Sequence, residues 1–162
     1  KGRTSVAVVN ENHSPEELSN LADDVFSYYG LGCRSITKVY LPEGFSTDLI
    51  FNALFKYKDV VNHNKYMNNY EYYRSIFLME NISFLDNGFL IMKEDESIHS
   101  PIGVLHYEYY NDLKKLENDL QLKNENIQCR VGDGGIPFES AQQPKLWDYA
   151  DGIDTISFLT KI

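Results

Sequence analysis

One thiol is the residue of this chain best placed for covalent chemistry. Cys33 lies in the turn Gly30–Arg34, with the sequence GLGCR, between a helical pattern and a strand pattern at Ser35–Leu41. A thiolate is a strong nucleophile and forms thioesters that a second reactant can discharge. A thiol on a glycine-containing turn can face a cleft, whereas a thiol inside a helix or strand is usually covered. If the protein is an enzyme, we expect its reaction to pass through this sulfur.

A second interpretation of Cys33 stays open at this point. An isolated thiol near a helix end is often a small apolar packing residue. Arg34 favours the thiolate by its charge, while the C-terminal end of the preceding helix disfavours it. The other cysteine, Cys129, falls in an apolar strand pattern and is assigned to packing.

A strongly signalled helix precedes the turn. Ser14 is the predicted N-cap, Pro15 takes the first helical position, and Glu17 completes a capping box. Gly30 is the predicted end of the helix. The predicted inward-facing residues are Leu18, Leu21, Ala22, Val25, Phe26 and Tyr29.

Strand patterns alternate with helical ones along the rest of the chain. Strands are predicted at Ser5–Asn10, Ser35–Leu41, Leu90–Lys93, Ile102–Tyr107, Gln128–Val131 and Thr155–Leu159. Further helices are predicted at Thr47–Val61, at His63–Glu80, and after a cap at Asn111 or Asp112. An aromatic stripe in the second of these (Tyr66, Tyr70, Tyr73, Phe77) indicates core packing. The pattern predicts one α/β domain over 1–162, with a mainly parallel sheet flanked by helices.

Composition excludes several classes of partner. The chain has 162 residues, 43% of them apolar, and a formal net charge of −9. This charge argues against nucleic acid, because no basic stripe is present to bind phosphates. No apolar run is long enough for a membrane span, and no signal-peptide pattern precedes the domain. Lys1 is not an initiator methionine, which indicates a processed chain or a piece of a longer one. Two distant cysteines do not form a disulfide framework, so a reduced, cytoplasmic protein is expected.

Other motifs are weaker. The turn before Ser35 nearly matches a dinucleotide fingerprint, but it follows a helix and precedes a strand, the reverse of what that fingerprint requires. The glycines at 132–135 follow a strand, yet Pro137 and the lack of a following helical pattern argue against phosphate binding there. The histidines lack metal-ligand spacing, so no metal is expected. They are His13, His63, His99 and His106.

The segment SVAVVNENHSPEELSNLADDVFSYYGLGCRSITKVYLPEGF, from Ser5 to Phe45, closely resembles the LuxC-type acyl-CoA reductases. These are distant members of the aldehyde dehydrogenase superfamily that make fatty aldehydes. The likeness continues through FLDNGFLIMKEDES, SPIGVLHYEYY and IPFESAQQPKLWDYADGIDTISFL, and so covers nearly the whole chain in order. It implies an aldehyde-dehydrogenase-like catalytic domain.

The resemblance also implies site residues. Cys33 takes the place of the acyl-accepting nucleophile, with Gly32 and Arg34 beside the substrate. Glu96, Ser97 and His99 match a superfamily motif that contacts the cofactor, although Ser97 and His99 replace the usual glutamate and phenylalanine. Pro137 and Phe138 match a late motif near the substrate tunnel.

The implied reaction is reduction of a long-chain acyl-CoA to an aldehyde through an acyl-cysteine intermediate. The cofactor is NADPH or NADH, bound mainly by a domain outside this chain, so the chain alone is expected to be inactive. A terminal strand at Thr155–Leu159 is expected to join a second copy in a homo-oligomer. Two alternatives stay open: a cofactor-independent cysteine acyltransferase or thioesterase, and a non-catalytic oligomerisation module.

Overall fold

The computed structural model describes residues 3–149 and 153–161. Six strands form one sheet: β1 (Thr4–Val8), β2 (Ile36–Pro42), β3 (Leu85–Asp86), β4 (Ile91–Glu94), β5 (Val104–Tyr110) and β6 (Ile127–Gly132). The helices are α1 (Pro15–Phe26), α2 (Thr47–Leu54), α3 (Asn64–Met79), α4 (Leu113–Leu122) and α5 (Thr155–Leu159), with 3₁₀ turns at Phe55–Asn62 and Asn124–Asn126. The spatial order is β3-β4-β5-β2-β1-β6. All neighbouring strands are parallel except the β3–β4 pair. The predicted α/β fold with a mainly parallel sheet is therefore confirmed.

The helices cover both faces of the sheet. One apolar cluster joins α1, α2 and α3 to side chains such as Ala7, Val39 and Leu105. A second cluster joins α4 to Val6, Val8 and Tyr40. We call these the α1 face and the α4 face. Burial on both sides explains why β1 and β2 are buried along their whole length.

Helix α1 follows its sequence signals. The Ser14 side chain accepts a hydrogen bond from the Glu17 N–H, and the Glu17 carboxylate accepts one from the Ser14 N–H, so the predicted capping box is present. The helix ends earlier than predicted, at Phe26. Tyr29 therefore lies outside the helix, with a positive φ of 54°, and is exposed rather than inward-facing.

The segment Thr47–Val61 is not the single α-helix that its sequence predicts. The α-helix stops at Leu54 and continues as a 3₁₀ helix through Asn62. Leu49, which the helical spacing in Thr47–Val61 predicts to face inward, is exposed. In contrast, the aromatic stripe of α3 is confirmed as packing, because Tyr66, Tyr70 and Phe77 are buried and Tyr73 packs against the same cluster.

The prediction of a strand at Thr155–Leu159 is wrong, because these residues form helix α5. The Asp154 carboxylate accepts hydrogen bonds from the N–H groups of Ile156 and Ser157, which starts a helix in place of an extended chain. The short antiparallel strand β3 was not predicted, since two residues carry no periodic signal. Within the described ranges, none of the helices has both the length and the apolar character needed to cross a bilayer.

Candidate functional site

The thiol singled out by the sequence lies at the amino-terminal edge of the sheet. Cys33 is exposed on the turn that leads from α1 into β2. The turn is closed by a hydrogen bond from the Ser35 N–H to the Gly32 carbonyl (2.9 Å). Ligands of open α/β sheets usually bind at the opposite, carboxyl-terminal edge. Any chemistry at Cys33 therefore uses the less common edge of this sheet.

A serine hydroxyl joins the two cysteines of the chain. Ser5 Oγ donates to the Cys33 carbonyl oxygen (2.9 Å) and accepts from the Cys129 backbone N–H (3.2 Å) and thiol (3.1 Å). Ser5 itself is fully buried, and Cys129 is half-buried. Burial raises the pKa of the Cys129 thiol, and a charge on Cys33 raises it further. Sequence reasoning assigned Cys129 to packing and missed this link to the candidate nucleophile.

The Arg34 side chain turns away from solvent and binds the C-terminal part of the chain. Its Nη1 donates to the carbonyl oxygen of Ala141 (3.1 Å), and its Nη2 lies 3.9 Å from an Asp148 carboxylate oxygen. Only 15% of the side chain is exposed. The guanidinium thus has two partners of its own, and its first role in this geometry is to hold residues 141–148 beside the Cys33 turn.

Asp24 holds the same segment from the other side, and sequence reasoning missed it. This fully buried carboxylate of α1 accepts hydrogen bonds from the N–H groups of Glu139 (2.7 Å) and Ala141 (2.9 Å). Burial raises its pKa to about 6, against the opposing effect of the two N–H donors. The available signal was a carboxylate three residues after Leu21, on the apolar face of α1.

Unpaired polar groups lie in and beside the Cys33 turn. In residues 3–149 and 153–161, the backbone N–H groups of Cys33 and Arg34 donate to no protein acceptor. The Ser35 hydroxyl is buried and has no hydrogen-bond partner in the same ranges. A Cβ placed on Gly32 would lie 3.4 Å from Ser35 Oγ, so that hydroxyl lies against the turn. These donors can stabilise negative charge that develops on an oxygen bound at the turn.

The predicted cofactor residues lie on the loop between β4 and β5. Glu96, Ser97 and His99 are all exposed. The Ser97 hydroxyl donates to the His99 carbonyl (3.0 Å) and accepts from its N–H (3.3 Å), so it serves the loop itself. Ile98 packs on the α4 face, whereas Cys129, next to the Cys33 turn, packs on the α1 face.

The end of the same loop approaches the nucleophile turn. Ser100 and Pro101 line a small hollow together with Tyr29 and Gly30. The structure thus brings Ser100 and Pro101, which directly follow the predicted cofactor residues, near the Cys33 turn. Ser97 and His99 stay on the exposed outer part of the loop.

Pro137 and Phe138 lie at the other edge of the sheet. The Phe138 ring is buried against Gly132 at the carboxyl end of β6, and its centroid is 4.8 Å from that of His13, just before α1. Pro137 is exposed beside it. From Phe138 the chain runs back along α1, because the next residue, Glu139, donates its N–H to Asp24 in the last turn of that helix.

A buried cation lies under the loop between β4 and β5, and sequence reasoning missed it as well. Lys38 of β2 is fully buried, and its Nζ donates to the Asp95 carbonyl oxygen (2.7 Å) and pairs with Glu108. Burial lowers the pKa of Lys38 and that of the neighbouring His106, whose Nδ1 donates to the Ser97 carbonyl oxygen (3.0 Å). These contacts fix the loop on the sheet. A single lysine within the strand pattern of β2 gives no signal that its side chain is buried.

The carboxyl-terminal edge of the sheet does not suit a dinucleotide. A cleft of about 460 Å³ opens there, and three of its lining residues are the acidic Glu11, Glu43 and Asp133. Their charges repel a pyrophosphate. The turn at residues 132–135 also uses its N–H groups internally, for example from Asp133 to the Val8 carbonyl and from Gly132 to the Ile136 carbonyl. This edge of the sheet therefore offers no binding site for cofactor phosphates.

In the described ranges, no group of three His, Cys, Asp or Glu residues is arranged to hold a metal ion.

No protein-family model matches the chain, and no curated protein matches it significantly. The resemblance to acyl-CoA reductases thus remains a prediction, and function has to be argued from the geometry at Cys33.

Proposed function

We propose that this chain is the nucleophile-bearing, aldehyde-dehydrogenase-like domain of an acyl-CoA reductase, with Cys33 as the acyl acceptor. One observation carries the proposal. The Cys33 thiol is exposed on a turn whose own N–H group, and that of Arg34, donate to no protein acceptor within residues 3–149 and 153–161. A nucleophile beside unpaired backbone donors is the arrangement that acyl transfer needs.

The protein's part in the reaction follows from these groups. The Cys33 thiolate attacks the thioester carbonyl carbon of an acyl-CoA, and the backbone donors of the turn stabilise the oxyanion. The bond to the CoA sulfur then breaks, CoA takes up a proton, and the acyl group remains on Cys33. The hydrogen bond from Ser5 to the Cys33 carbonyl fixes the backbone of the nucleophile. Arg34, held by Ala141, keeps the turn against the C-terminal segment.

The carboxyl-terminal edge of the sheet does not fit the phosphates of a nicotinamide cofactor, because its cleft is acidic and its glycine turn is internally bonded. NADPH or NADH would supply the hydride for the aldehyde product, from a domain outside the described residues. Within this chain, the exposed carboxylate of Glu96 could accept hydrogen bonds from ribose hydroxyls. Ser97 has a satisfied hydroxyl and adds little to such a contact.

Intact-mass spectrometry tests the proposal. The protein, in its longest available form, is mixed with palmitoyl-CoA, and we expect a mass gain of one palmitoyl group. The gain should disappear in Cys33→Ala and persist in Cys129→Ala, the matched control. Subsequent NADPH should discharge the adduct as aldehyde. A protein that forms no adduct, or an adduct that persists in Cys33→Ala, would contradict the assignment of Cys33.

A second candidate function is favoured by the acidic carboxyl-terminal edge of the sheet. Without a cofactor, the same acyl-Cys33 thioester would pass to water or to another acceptor, which makes the protein a thioesterase or acyltransferase. The experiment above separates the two functions. Release of palmitate without NADPH oxidation supports the second candidate, and aldehyde formation supports the first.

The protein is also proposed to be a cytoplasmic homo-oligomer that assembles through its C-terminal segment. This segment carries large exposed apolar side chains: Leu146, Trp147, Ile153, Ile156, Phe158 and Leu159. Apolar surface of this density is typical of an interface. Because Thr155–Leu159 is helical, addition of a strand to a partner's sheet would require this segment to refold.

A further inference from the structure

The buried hydroxyl of Ser5 is hydrogen-bonded to both cysteines of the described chain. Ser5 Oγ is 2.9 Å from the Cys33 carbonyl oxygen and 3.1 Å from the Cys129 sulfur. These two lengths place the Cys33 carbonyl oxygen no more than about 6 Å from that sulfur, so the two cysteines are neighbours beside Ser5. A disulfide needs Cα atoms within about 7 Å of each other, so the exposed Cys33 turn has to shift toward Cys129 to form one.

We infer that Cys33 and Cys129 form a reversible disulfide under oxidation by a hydroperoxide. The inference goes beyond the proposed function, since it requires only the two thiols and no acyl-CoA. Its consequence for that function is direct, because a Cys33 sulfur held in a disulfide can accept no acyl group.

Accessibility sets the order of events. Cys33 is exposed, and Cys129 is half-buried beneath Ser5. Hydrogen peroxide therefore reaches Cys33 first. Its thiol is oxidised to a sulfenic acid while the peroxide is reduced and leaves as water. The Cys129 sulfur then attacks the Cys33 sulfur, the S–O bond breaks, and the hydroxyl leaves with the Cys129 proton as a second water molecule. A dithiol reductant restores both thiols.

The surroundings allow the second step. The turn that carries Cys33 is exposed and has a glycine at its centre, and its contacts to Ser5 and, through Arg34, to Ala141 have to shift as it approaches Cys129. Cys129 lies on β6, whose backbone is fixed by pairing with β1. Formation of the disulfide thus moves the exposed turn toward a fixed strand and leaves the sheet in place.

The test is exposure of the reduced protein to hydrogen peroxide, followed by intact-mass measurement and peptide mapping without a reductant. We expect a loss of about two mass units and a cross-linked pair of peptides that contain Cys33 and Cys129. Dithiothreitol should reverse the change. After peroxide treatment, the wild type should form no palmitoyl adduct until it is reduced.

Cys129→Ser is the matched variant, because a serine keeps a hydrogen-bond donor beside Ser5. In this variant Cys33 should gain oxygen, with about 32 added mass units for the sulfinic acid, and no cross-link should form. The inference is overturned if wild-type Cys33 gains oxygen at the same rate as the variant, or if the only disulfides join separate chains. If the variant does not fold, peptide mapping of the wild type still shows whether the cross-link between Cys33 and Cys129 forms within one chain. A failed acylation test with an intact cross-link would reject the proposed function and keep the disulfide.

Discussion

The Arg34 guanidinium donates to the carbonyl oxygen of Ala141, a residue 107 positions later in the chain. Ala141 is fully buried and is bound on its N–H side by Asp24. The residue next to the candidate nucleophile and a carboxylate of α1 therefore hold the same residue, Ala141, from two directions. The order of the C-terminal segment and the geometry of the Cys33 turn are coupled through Ala141.

Replacement of Arg34 by Met should loosen the C-terminal segment. Loss of the hydrogen bond to Ala141 and of the ion pair with Asp148 removes about 1–2 kcal/mol from the free energy of unfolding. Tryptic cleavage after the exposed Lys145 should become faster. Arg74→Met is the control, since its ion pair with Asp86 is remote from this segment. Equal cleavage rates at Lys145 in Arg34→Met and wild type would contradict the coupling.

Asp24 should make stability depend on pH. Burial raises its folded-state pKa from an ordinary value of 3.8 to about 6. A raised folded-state pKa contributes stability that is present below the unfolded pKa and is lost as the pH rises through about 6. The Asp24→Asn variant has no titrating carboxyl at this position, so its stability does not show this loss. The free energy of unfolding of the variant, relative to wild type, should therefore increase by up to about 3 kcal/mol between pH 4 and pH 7.

Urea unfolding of both proteins at each pH measures this difference, and the comparison cancels the contributions of the other titrating groups. A constant difference across this pH range would show that Asp24 titrates alike in the folded and unfolded states.

Gly132 should tolerate no side chain. Its φ is +83°, and an added Cβ would lie 2.2 Å from the Val8 carbonyl oxygen and 2.8 Å from the Phe138 ring. Gly132→Ala should cost at least about 3 kcal/mol of the free energy of unfolding, because backbone strain and a backbone clash add. Gly88→Ala is the matched control, since φ is +93° but the space around it is open. Its cost should be about 1 kcal/mol. Similar losses in denaturant unfolding of the two variants would refute the predicted clash.

The exposed apolar side chains of α5 should govern self-association. Ile156→Ser combined with Phe158→Ser removes two of the three large exposed apolar side chains of this helix, without touching the described core. Light scattering should then report a mass closer to that of one chain than in the wild type. Leu122→Ser, at an exposed leucine of α4, is the control and should leave the mass unchanged. A monomeric wild type, or an oligomer that survives the double substitution, would exclude this interface.

The sequence by itself determined the elements whose signals are local. The capping box of Ser14 and Glu17 starts α1 because both residues lie within one helical turn. The strand patterns of β1 and β2, alternating with helical ones, predicted a mainly parallel sheet, and the glycines before Cys33 predicted a turn. Where two local signals competed, prediction failed: the β-branched and aromatic residues of Thr155–Leu159 suggested a strand, but the Asp154 cap starts a helix.

Only the tertiary structure decided what surrounds the candidate nucleophile. The bonds of Arg34 to Ala141 and of Cys129 to Ser5 join residues 107 and 124 positions apart. Such pairs leave no periodic or spacing signal, because their approach depends on strand order and on which face each helix covers. The burial of Asp24 and Lys38 was hidden for the same reason, since each depends on partners from distant loops. Sequence thus singled out the candidate nucleophile, and the packing of distant segments decided its neighbours.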